Sequence, residues 1–293
     1  MKQRIITATI ALGLFIPILV LSNIYSDLIV LSLVIAALSV IGVYEMLKCI
    51  GTDRHLWLSV PAYLIAVSMP VLAFLMRAKN DVFLLIFGVV FVLYLQYMFI
   101  YAIISHSRSE RMLNYSLICQ TFVSTLYIVF GFTAVIMMRY VLFNGKELGK
   151  YFYLLIFIGA WVTDTFAYFV GRFFGKHKLS PEISPKKTVE GSIGGIVFCV
   201  LSFLVFTLIV GKIVGISGTV FTVVMLLAGF FVSVVSQMGD LIASYVKREH
   251  GVKDYGKLFP GHGGVMDRFD SILGASSVLF IVFYIAGAFG LFI

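Results

Sequence analysis

Nine runs of about 20 predominantly apolar residues recur along this 293-residue chain and limit what it can fold into. They lie at 5–22, 28–44, 57–76, 82–104, 116–138, 151–170, 191–210, 219–243 and 272–292. Each run is long enough to cross the hydrocarbon core of a bilayer as a helix. Because that core offers no water to backbone N–H and C=O groups, a helix satisfies them within each run. The sequence therefore predicts an all-α membrane bundle of nine transmembrane helices.

The composition of the chain agrees with a membrane protein and excludes an ordinary soluble domain. Hydrophobic residues make up 61% of the sequence and charged residues 12%, whereas soluble domains are about 45–50% apolar. The net charge of +8 would also suit nucleic-acid binding, but polytopic membrane proteins carry basic loops that fix their orientation. We expect no nucleic-acid partner. The three cysteines lack a C-x-x-C spacing, which indicates packing rather than a disulfide or zinc site.

The distribution of basic residues between alternate loops predicts the orientation. With the N-terminus inside, 16 of the 22 Lys and Arg residues fall on the cytoplasmic side, as the positive-inside rule requires. Lys2 and Arg4 precede the first apolar run, and no small-residue cleavage site follows it. We expect an uncleaved first span, a cytoplasmic N-terminus and an external C-terminus in a bacterial-type cytoplasmic membrane.

Polar residues are distributed unevenly along the apolar runs. The first five runs carry no acidic residue in their interiors, whereas the last four are interrupted by two aspartates. The two richest loops, 171–190 and 244–271, also lie in the second half. The sequence thus predicts about five scaffold or dimerisation helices within 1–150 and about four catalytic helices within 151–293.

Asp164 lies well inside the sixth apolar run. A carboxylate at membrane depth costs about 2.5–3.5 kcal/mol on insertion scales, so it usually faces a polar cavity or a partner. One small and polar helical face is formed by Ala160, Asp164, Ala167, Tyr168 and Gly171. This pattern favours a polar cavity reached from the cytoplasm. A structural hydrogen bond between helices is the alternative.

A second carboxylate, Asp240, lies near the cytoplasmic end of the eighth run. The residues that share its helical face are polar from the membrane interior to the loop, namely Ser233, Ser236, Gln237 and Ser244. We call these residues, with Asp240, the polar stripe. Serine and glutamine also hold helices together, so without its carboxylate the polar stripe would indicate only a packing role. The carboxylate within it favours a site.

Asp267 and Asp270 flank Arg268 at the predicted start of the last helix. A separation of three places both carboxylates on one side of a turn, where their charges repel unless a cation lies between them. Mg²⁺ is commonly bound by one or two carboxylates and substrate phosphates. An Asp at a helix start can also simply complement the helix dipole. With Asp240 at the same membrane face, the pair favours a metal site.

Glycines surround His262 in "FPGHGGV". Gly261, Gly263 and Gly264 allow a tight turn and a close approach of backbone N–H groups to an anion, just before a predicted helix N-terminus. The segment does not match the G-x-x-x-x-G-K-S/T phosphate loop. His262 can serve as a phosphate donor, a base or an ordinary loop residue.

The loop between the sixth and seventh runs is strongly basic. It contains Arg172, Lys176, Lys178, Lys186 and Lys187. Ser184–Thr188 predicts a turn with two lysines at the membrane surface, which suits phosphate charge. Gly191-x-x-x-Gly195 predicts close helix packing. Basic loops also fix topology and attract anionic lipid, which is the alternative.

The stretch "SYVKREHGVKDYGKLFPGHGGVMDRFD" resembles the signature of the phosphatidate cytidylyltransferases, also called CDP-diacylglycerol synthases. Every fixed position of that pattern is occupied, by Ser244, Lys247, Arg248, Lys253, Asp254, His262, Gly263, Gly264, Asp267, Arg268 and Asp270. The blocks "TDTFAYFVGRFFGKHK" and "SPKKTVEGSIGG" resemble the same family in the expected order. The resemblance covers residues 161–271.

The resemblance implies an enzyme that transfers the cytidylyl group of CTP to phosphatidate, giving CDP-diacylglycerol and pyrophosphate in phospholipid biosynthesis. It also implies a Mg²⁺-dependent, membrane-embedded nucleotidyltransferase that forms a homodimer, and it allows a second cation. By motif position, Asp240 and Asp267 correspond to metal-binding carboxylates, with Asp270 close by. We expect the active site to face the cytoplasm.

Charge predicts the roles of the basic residues, because CTP and phosphatidate are both strongly negative. The groups expected to act on the phosphates are Lys186, Lys187, Lys247, Arg248, His262 and Arg268. The groups expected to bind substrate, by their place in the motif or on the polar helical faces, are Asp164, Ser236, Ser244, Lys253, Asp254, Gly263 and Gly264. Phosphatidate brings an anionic phosphate oxygen as nucleophile, so no strong general base is expected.

The residues alone leave other function classes open. An ion-coupled transporter would relay cations through Asp164 and Asp240, but it leaves the glycine turn and the Asp-x-x-Asp pair unexplained. A CDP-alcohol phosphotransferase would share substrates and metal, but its D-G-x-x-A-R motif is absent from the sequence. A purely structural membrane scaffold explains the least.

Overall fold

The computed structural model of the protein describes residues 13, 16–25, 29–107, 113–142, 147–216 and 218–290. Within these residues the chain is helical apart from loops and one short β-hairpin. Eight segments of the described chain are long and apolar enough to cross a membrane. They confirm the all-α membrane fold and eight of the predicted spans. The remaining one, at 5–22, lies largely outside the described residues.

The described helices follow one another with short connections. Those of the first part are α1 (Val30–Ile50), a 3₁₀ helix (Thr52–Arg54), α2 (Leu56–Leu75), α3 (Asn80–Ser107) and α4 (Tyr115–Arg139). Those that follow are α5 (Gly149–Phe152), α6 (Leu154–Phe174), α7 (Val189–Val214), α8 (Thr219–Glu249) and α9 (Met266–Ala288). Between α6 and α7 lie two antiparallel strands, β1 (Lys178–Ser180) and β2 (Ser184–Thr188).

Two compact units divide the chain, and each combines segments that are distant in sequence. The first contains Met1–Ile136 and His250–Arg268, and the second contains Met137–Glu249 and Phe269–Ile293. The glycine-rich segment after α8 therefore belongs to the same unit as the N-terminal helices. The division of labour between residues 1–150 and 151–293 stays a prediction.

The first unit is built on α1 and α2, which pack directly against each other, and the short 3₁₀ helix that connects them contacts both. Gly51 ends α1 in a left-handed conformation (φ +88°), and its N–H donates to the Leu47 carbonyl at 2.9 Å. This is the usual glycine stop of a helix. A hydroxyl pair, Thr52 and Thr121 at 2.8 Å, then joins the start of the 3₁₀ helix to α4.

The second unit is held by the close packing of α6 on α7. A Cβ added at Gly194 would lie 2.6 Å from Val170, and one at Gly195 would lie 3.0 Å from the Thr163 carbonyl oxygen. Only glycine leaves the two backbones room to approach this closely. The close packing predicted from the Gly191-x-x-x-Gly195 spacing is therefore confirmed.

The prediction of a turn at Ser184–Thr188 is wrong, because these residues form β2. The turn falls instead at 181–183, and Lys178 pairs with Thr188 across the hairpin. Thr188 has an extended backbone, and its hydroxyl accepts the Gly191 N–H at 3.2 Å as the N-cap of α7. An N-cap needs this non-helical conformation, which continues directly into the strand.

Candidate functional site

Three aspartates from three helices of the second unit lie near one another: Asp164 on α6, Asp240 on α8 and Asp270 on α9. Asp270 is only 9% exposed, and it is close enough to the other two for their negative charges to repel. Asp164 Oδ2 accepts a hydrogen bond from the Ser271 hydroxyl at 3.1 Å, which ties α6 to α9. The cluster concentrates negative charge that cations must compensate.

Two lysines supply part of that compensation. Lys187 Nζ, at the end of β2, lies 2.6 Å from Asp240 Oδ2. The ammonium is placed for an ion pair rather than for a well-directed hydrogen bond. Lys247, on α8, is close enough to Asp270 to attract it. Because both members of the Lys187–Asp240 pair are partly buried, salt screens them less than it screens a surface pair.

The polar stripe of α8 serves two purposes. Ser233 accepts a hydrogen bond from the Thr163 hydroxyl at 3.0 Å, and Gln237 reaches the Ser192 carbonyl at 3.4 Å. These contacts are the helix-joining role that the sequence also allowed. Ser244 donates a long hydrogen bond of 3.4 Å to Asp240 Oδ1 and so borders the aspartates. Ser236 is fully buried, and its hydroxyl has no hydrogen-bond partner among the described residues.

The other basic residues predicted for this region lie differently. Lys186 and Arg248 are exposed, on β2 and in the last turn of α8. The structure therefore brings two of the predicted cations, Lys187 and Lys247, to the aspartates of the second unit. The roles of Lys186 and Arg248 stay predictions.

In the first unit, the glycine-rich segment forms the tight turn that its composition predicts. Phe259 and Gly263 pair, with the Phe259 N–H donating to the Gly263 carbonyl at 2.9 Å. Gly261 and Gly263 have φ values of +77° and +82°, which favour glycine. His262 Nδ1 is buried and has no hydrogen-bond partner in the part of the chain that the structure describes. The proposed phosphate contact of His262 stays a prediction.

Asp267 binds the backbone of this segment. It is 8% exposed, and its Oδ2 accepts the Tyr255 N–H at 2.8 Å and the Gly264 N–H at 2.9 Å. Both donors precede α9, so Asp267 holds the segment before the helix rather than capping the N–H groups of its first turn. Its predicted role as a metal ligand stays a prediction. Three further motif residues are exposed, namely Lys253, Asp254 and Arg268.

Glu45 was not predicted from the sequence. The second predicted span ended at residue 44, but α1 continues to Ile50, and Glu45 lies within it at 4% exposure. Its Oε2 accepts the Met266 N–H at 2.9 Å. The signal was present in the apolar residues Met46 and Leu47, because they continue the span and place an acidic residue inside it.

The acidic residues of the second unit have the donor chemistry that Mg²⁺ prefers. Across the described ranges, no group of three or more His, Cys, Asp or Glu side chains is arranged to hold a metal ion by itself. Mg²⁺, however, commonly takes only one or two carboxylates and completes its shell with water and phosphate oxygens. Asp240 and Asp270 therefore have donor chemistry that suits such an ion.

Comparison with known proteins places the chain in a family. A model described as "Cytidylyltransferase family" matches residues 2–286. Proteins named phosphatidate cytidylyltransferase are similar to this chain. Those of Staphylococcus epidermidis and Staphylococcus saprophyticus are 33% identical over 274 and 277 residues, and each match covers 93% of this chain and 95% of the relative. The one of Aquifex aeolicus is 40% identical over 137 residues, covering 47% of this chain and 49% of that protein. The chain belongs to the cytidylyltransferase family.

Proposed function

We propose that this protein transfers the cytidylyl group of CTP to phosphatidate and releases CDP-diacylglycerol and pyrophosphate. Family membership over nearly the whole chain and the names of its relatives support this function. The observation that carries the proposal is the ion pair of Lys187 with Asp240 beside the buried Asp270. A cation suited to phosphate, on the hairpin, thus lies beside carboxylates suited to a cation, on two membrane helices.

The reaction joins two negatively charged partners. An oxygen of the phosphatidate phosphate attacks the α-phosphorus of CTP, a new P–O bond forms, and the bond to the β-phosphate breaks. Pyrophosphate leaves with the electron pair. Since the nucleophile is already an anion, no residue has to remove a proton. Positioning and charge compensation therefore account for most of the catalysis.

Lys187 and Lys247 are the residues that we assign to charge compensation in the second unit. A lysine ammonium is a point charge on a flexible stem, so Lys187 can exchange the Asp240 carboxylate for a phosphate oxygen without rebuilding β2. Lys247 lies one turn beyond Ser244 on α8 and attracts Asp270. Both cations then face the triphosphate rather than only the carboxylates.

We further propose that Asp240 and Asp270 hold Mg²⁺. When it is bound, this ion neutralises charge on the nucleotide phosphates and on the leaving pyrophosphate. Asp270 suits the role because it is buried and already repelled by Asp240 and Asp164, a strain that a cation relieves. Asp164 accepts a hydrogen bond from the Ser271 hydroxyl and so ties α6 to α9. Asp267 stays a candidate ligand by its motif position, and we allow for a second cation at the site.

We also propose an orientation for the site, a homodimeric assembly and the remaining substrate contacts. The site opens to the cytoplasm, where CTP is available, and phosphatidate arrives from the bilayer. Two copies of the chain form a homodimer. The other motif residues contact substrate: Ser236, Ser244, Arg248, Lys253, Asp254, His262, Gly263, Gly264 and Arg268. Lys186, which is exposed on β2, contributes only weakly to phosphate charge.

A nucleotide panel tests the proposal. The purified protein is incubated in detergent with phosphatidate, Mg²⁺ and either CTP, UTP, ATP or GTP, and pyrophosphate is measured. We expect release with CTP that depends on phosphatidate. Release with every nucleotide, or release without the lipid, would indicate a different activity.

A further inference from the structure

Glu45 is a buried carboxylate within a helix that is apolar enough to span a membrane. Such a group is costly in that setting unless partners compensate it. Its partners are two backbone N–H groups at the start of α9, those of Met266 (2.9 Å) and Val265. The first N–H groups of a helix lack partners within the helix, and its N-terminus favours negative charge. Glu45 and the start of α9 therefore satisfy each other.

Two glycines of the neighbouring segment lie in close contact with the same carboxylate. A Cβ added at Gly256 or at Gly264 would collide with the Glu45 carboxylate. Gly264 also donates its N–H to Asp267 Oδ2, and Tyr255 donates to the same oxygen. Two carboxylates, one from α1 and one from α9, thus bind the backbone of a single segment, residues 255–266.

We propose that Glu45 is a positioning residue, which fixes the glycine-rich turn and the first turn of α9. It does so through hydrogen bonds from the backbone of Val265 and Met266 and through close contact with Gly256 and Gly264. These contacts also position Asp267 and Arg268, the motif residues that follow Met266 directly in sequence. The catalytic consequence rests on the proposed function, whereas the structural role of Glu45 does not.

The test compares Glu45→Gln with Ser39→Ala in the full-length protein. Glutamine keeps the volume of the side chain, but it loses the charge, and its nitrogen cannot accept a backbone N–H. Ser39 is a matched control because it is fully buried on α1, and its hydroxyl has no hydrogen-bond partner among the described residues. Hydrogen–deuterium exchange is followed in nanodiscs without nucleotide, and initial rates are measured at varied CTP and at varied phosphatidate.

For Glu45→Gln we expect the amides of residues 255–266 to exchange at least about tenfold faster, since hydrogen bonds to a charged group are among the stronger ones. Amides in the middle of α2 and α7 should keep their wild-type exchange. The KM for CTP should rise at least about threefold, because phosphate-contacting groups lose their placement, while the KM for phosphatidate stays within twofold. Ser39→Ala should leave all of these unchanged.

Gly256→Ala gives an independent answer if Glu45→Gln fails to fold. The added methyl displaces the carboxylate while Glu45 itself stays, so the same local exchange and the same rise in the KM for CTP are expected. Unchanged exchange at 255–266 in both variants, or faster exchange spread over every helix, would overturn the inference. A wild-type protein without cytidylyl transfer would overturn the proposed function, and the local exchange would still decide whether Glu45 holds the segment.

Discussion

Lys187 Nζ lies 2.6 Å from Asp240 Oδ2, which joins the last residues of the β-hairpin to α8. The side chains are 25% and 29% exposed, so water reaches the pair but does not surround it. The hairpin owes this placement to Thr188, the residue after Lys187, which caps α7. A basic side chain is thus held at a fixed position next to the acidic residues of the second unit.

This ion pair predicts a strong energetic coupling in catalysis. Asp240→Asn should lower kcat/KM for CTP at least about 100-fold, because it removes a cation-binding carboxylate whose effect is worth several kcal/mol. Lys187→Ala should cost about tenfold to 100-fold. Because the two groups act together, the double variant should be much less impaired than the product of the single effects.

The control for this cycle is Glu182→Gln, which removes an exposed carboxylate from the turn of the same hairpin. Its kinetics should match those of the wild type. Independent, multiplicative effects of Asp240→Asn and Lys187→Ala would show that the pair does not act as a unit in the reaction.

The two adjacent lysines of β2 should differ in importance. Lys186 is exposed, whereas Lys187 is partly buried against Asp240. Exposed charges contribute little, so Lys186→Ala should change kcat/KM for CTP less than about fivefold. Lys178→Ala, on the neighbouring strand, provides a second exposed control. Equal losses for Lys186→Ala and Lys187→Ala, measured at one ionic strength, would contradict the placement.

The close packing of α6 on α7 predicts a stability effect. Gly194→Ala would bring a methyl group to 2.6 Å from Val170, and such overpacking costs about 1–3 kcal/mol. The thermal unfolding temperature in detergent should fall accordingly. Gly88→Ala on α3 is the matched control, because an added Cβ there meets nothing within 4 Å. It should leave the unfolding temperature unchanged or raise it, since alanine favours a helix over glycine.

Most of the fold could be predicted from the sequence, because each transmembrane helix is indicated by the hydropathy of its own residues. Nine spans were predicted from hydropathy alone, since a bilayer requires each long apolar run to satisfy its own backbone, and eight of them are helices within the described residues. The β-hairpin was not predicted, because its pairing depends on the Thr188 cap and on the junction of two helices rather than on any alternating pattern. The end of α1 was placed too early, which hid Glu45.

The candidate site was predicted in part. Asp164, Asp240 and Asp270 carry the signal of acidic residues in apolar surroundings, and the structure brings them together. The partner of each group could not be predicted, because it depends on packing. Lys187 rather than Lys186 reaches Asp240, and Asp267 binds backbone N–H groups of its own segment. No pattern within one helix distinguishes these outcomes.

The proposed cation predicts a metal requirement centred on Asp270. Activity should disappear in excess EDTA and return with Mg²⁺. Asp270→Asn should raise the Mg²⁺ concentration for half-maximal activity at least about tenfold, because one of two ligating carboxylates is lost. Full activity in EDTA would contradict the metal assignment. An unchanged Mg²⁺ dependence of Asp270→Asn would remove this residue from the metal site.

The predicted orientation places the hairpin and the α7–α8 connection on opposite sides of the membrane. In a variant whose native cysteines are replaced by alanine, Glu182→Cys should react with an impermeant maleimide only from the cytoplasmic face. Lys212→Cys, near the end of α7, should react only from the outer face. Labelling of both positions from one face would contradict the predicted topology.

The central claim concerns one reaction, and its products test it most directly. Purified protein is incubated with phosphatidate, Mg²⁺ and CTP labelled at the α-phosphorus, and lipid-soluble label and pyrophosphate are quantified together. We predict one labelled CDP-diacylglycerol for each pyrophosphate, with both products reduced at least about 100-fold in Asp240→Asn. Label that never enters the lipid phase, while sealed vesicles of the same protein accumulate cations without consuming CTP, would contradict the account and favour a transporter.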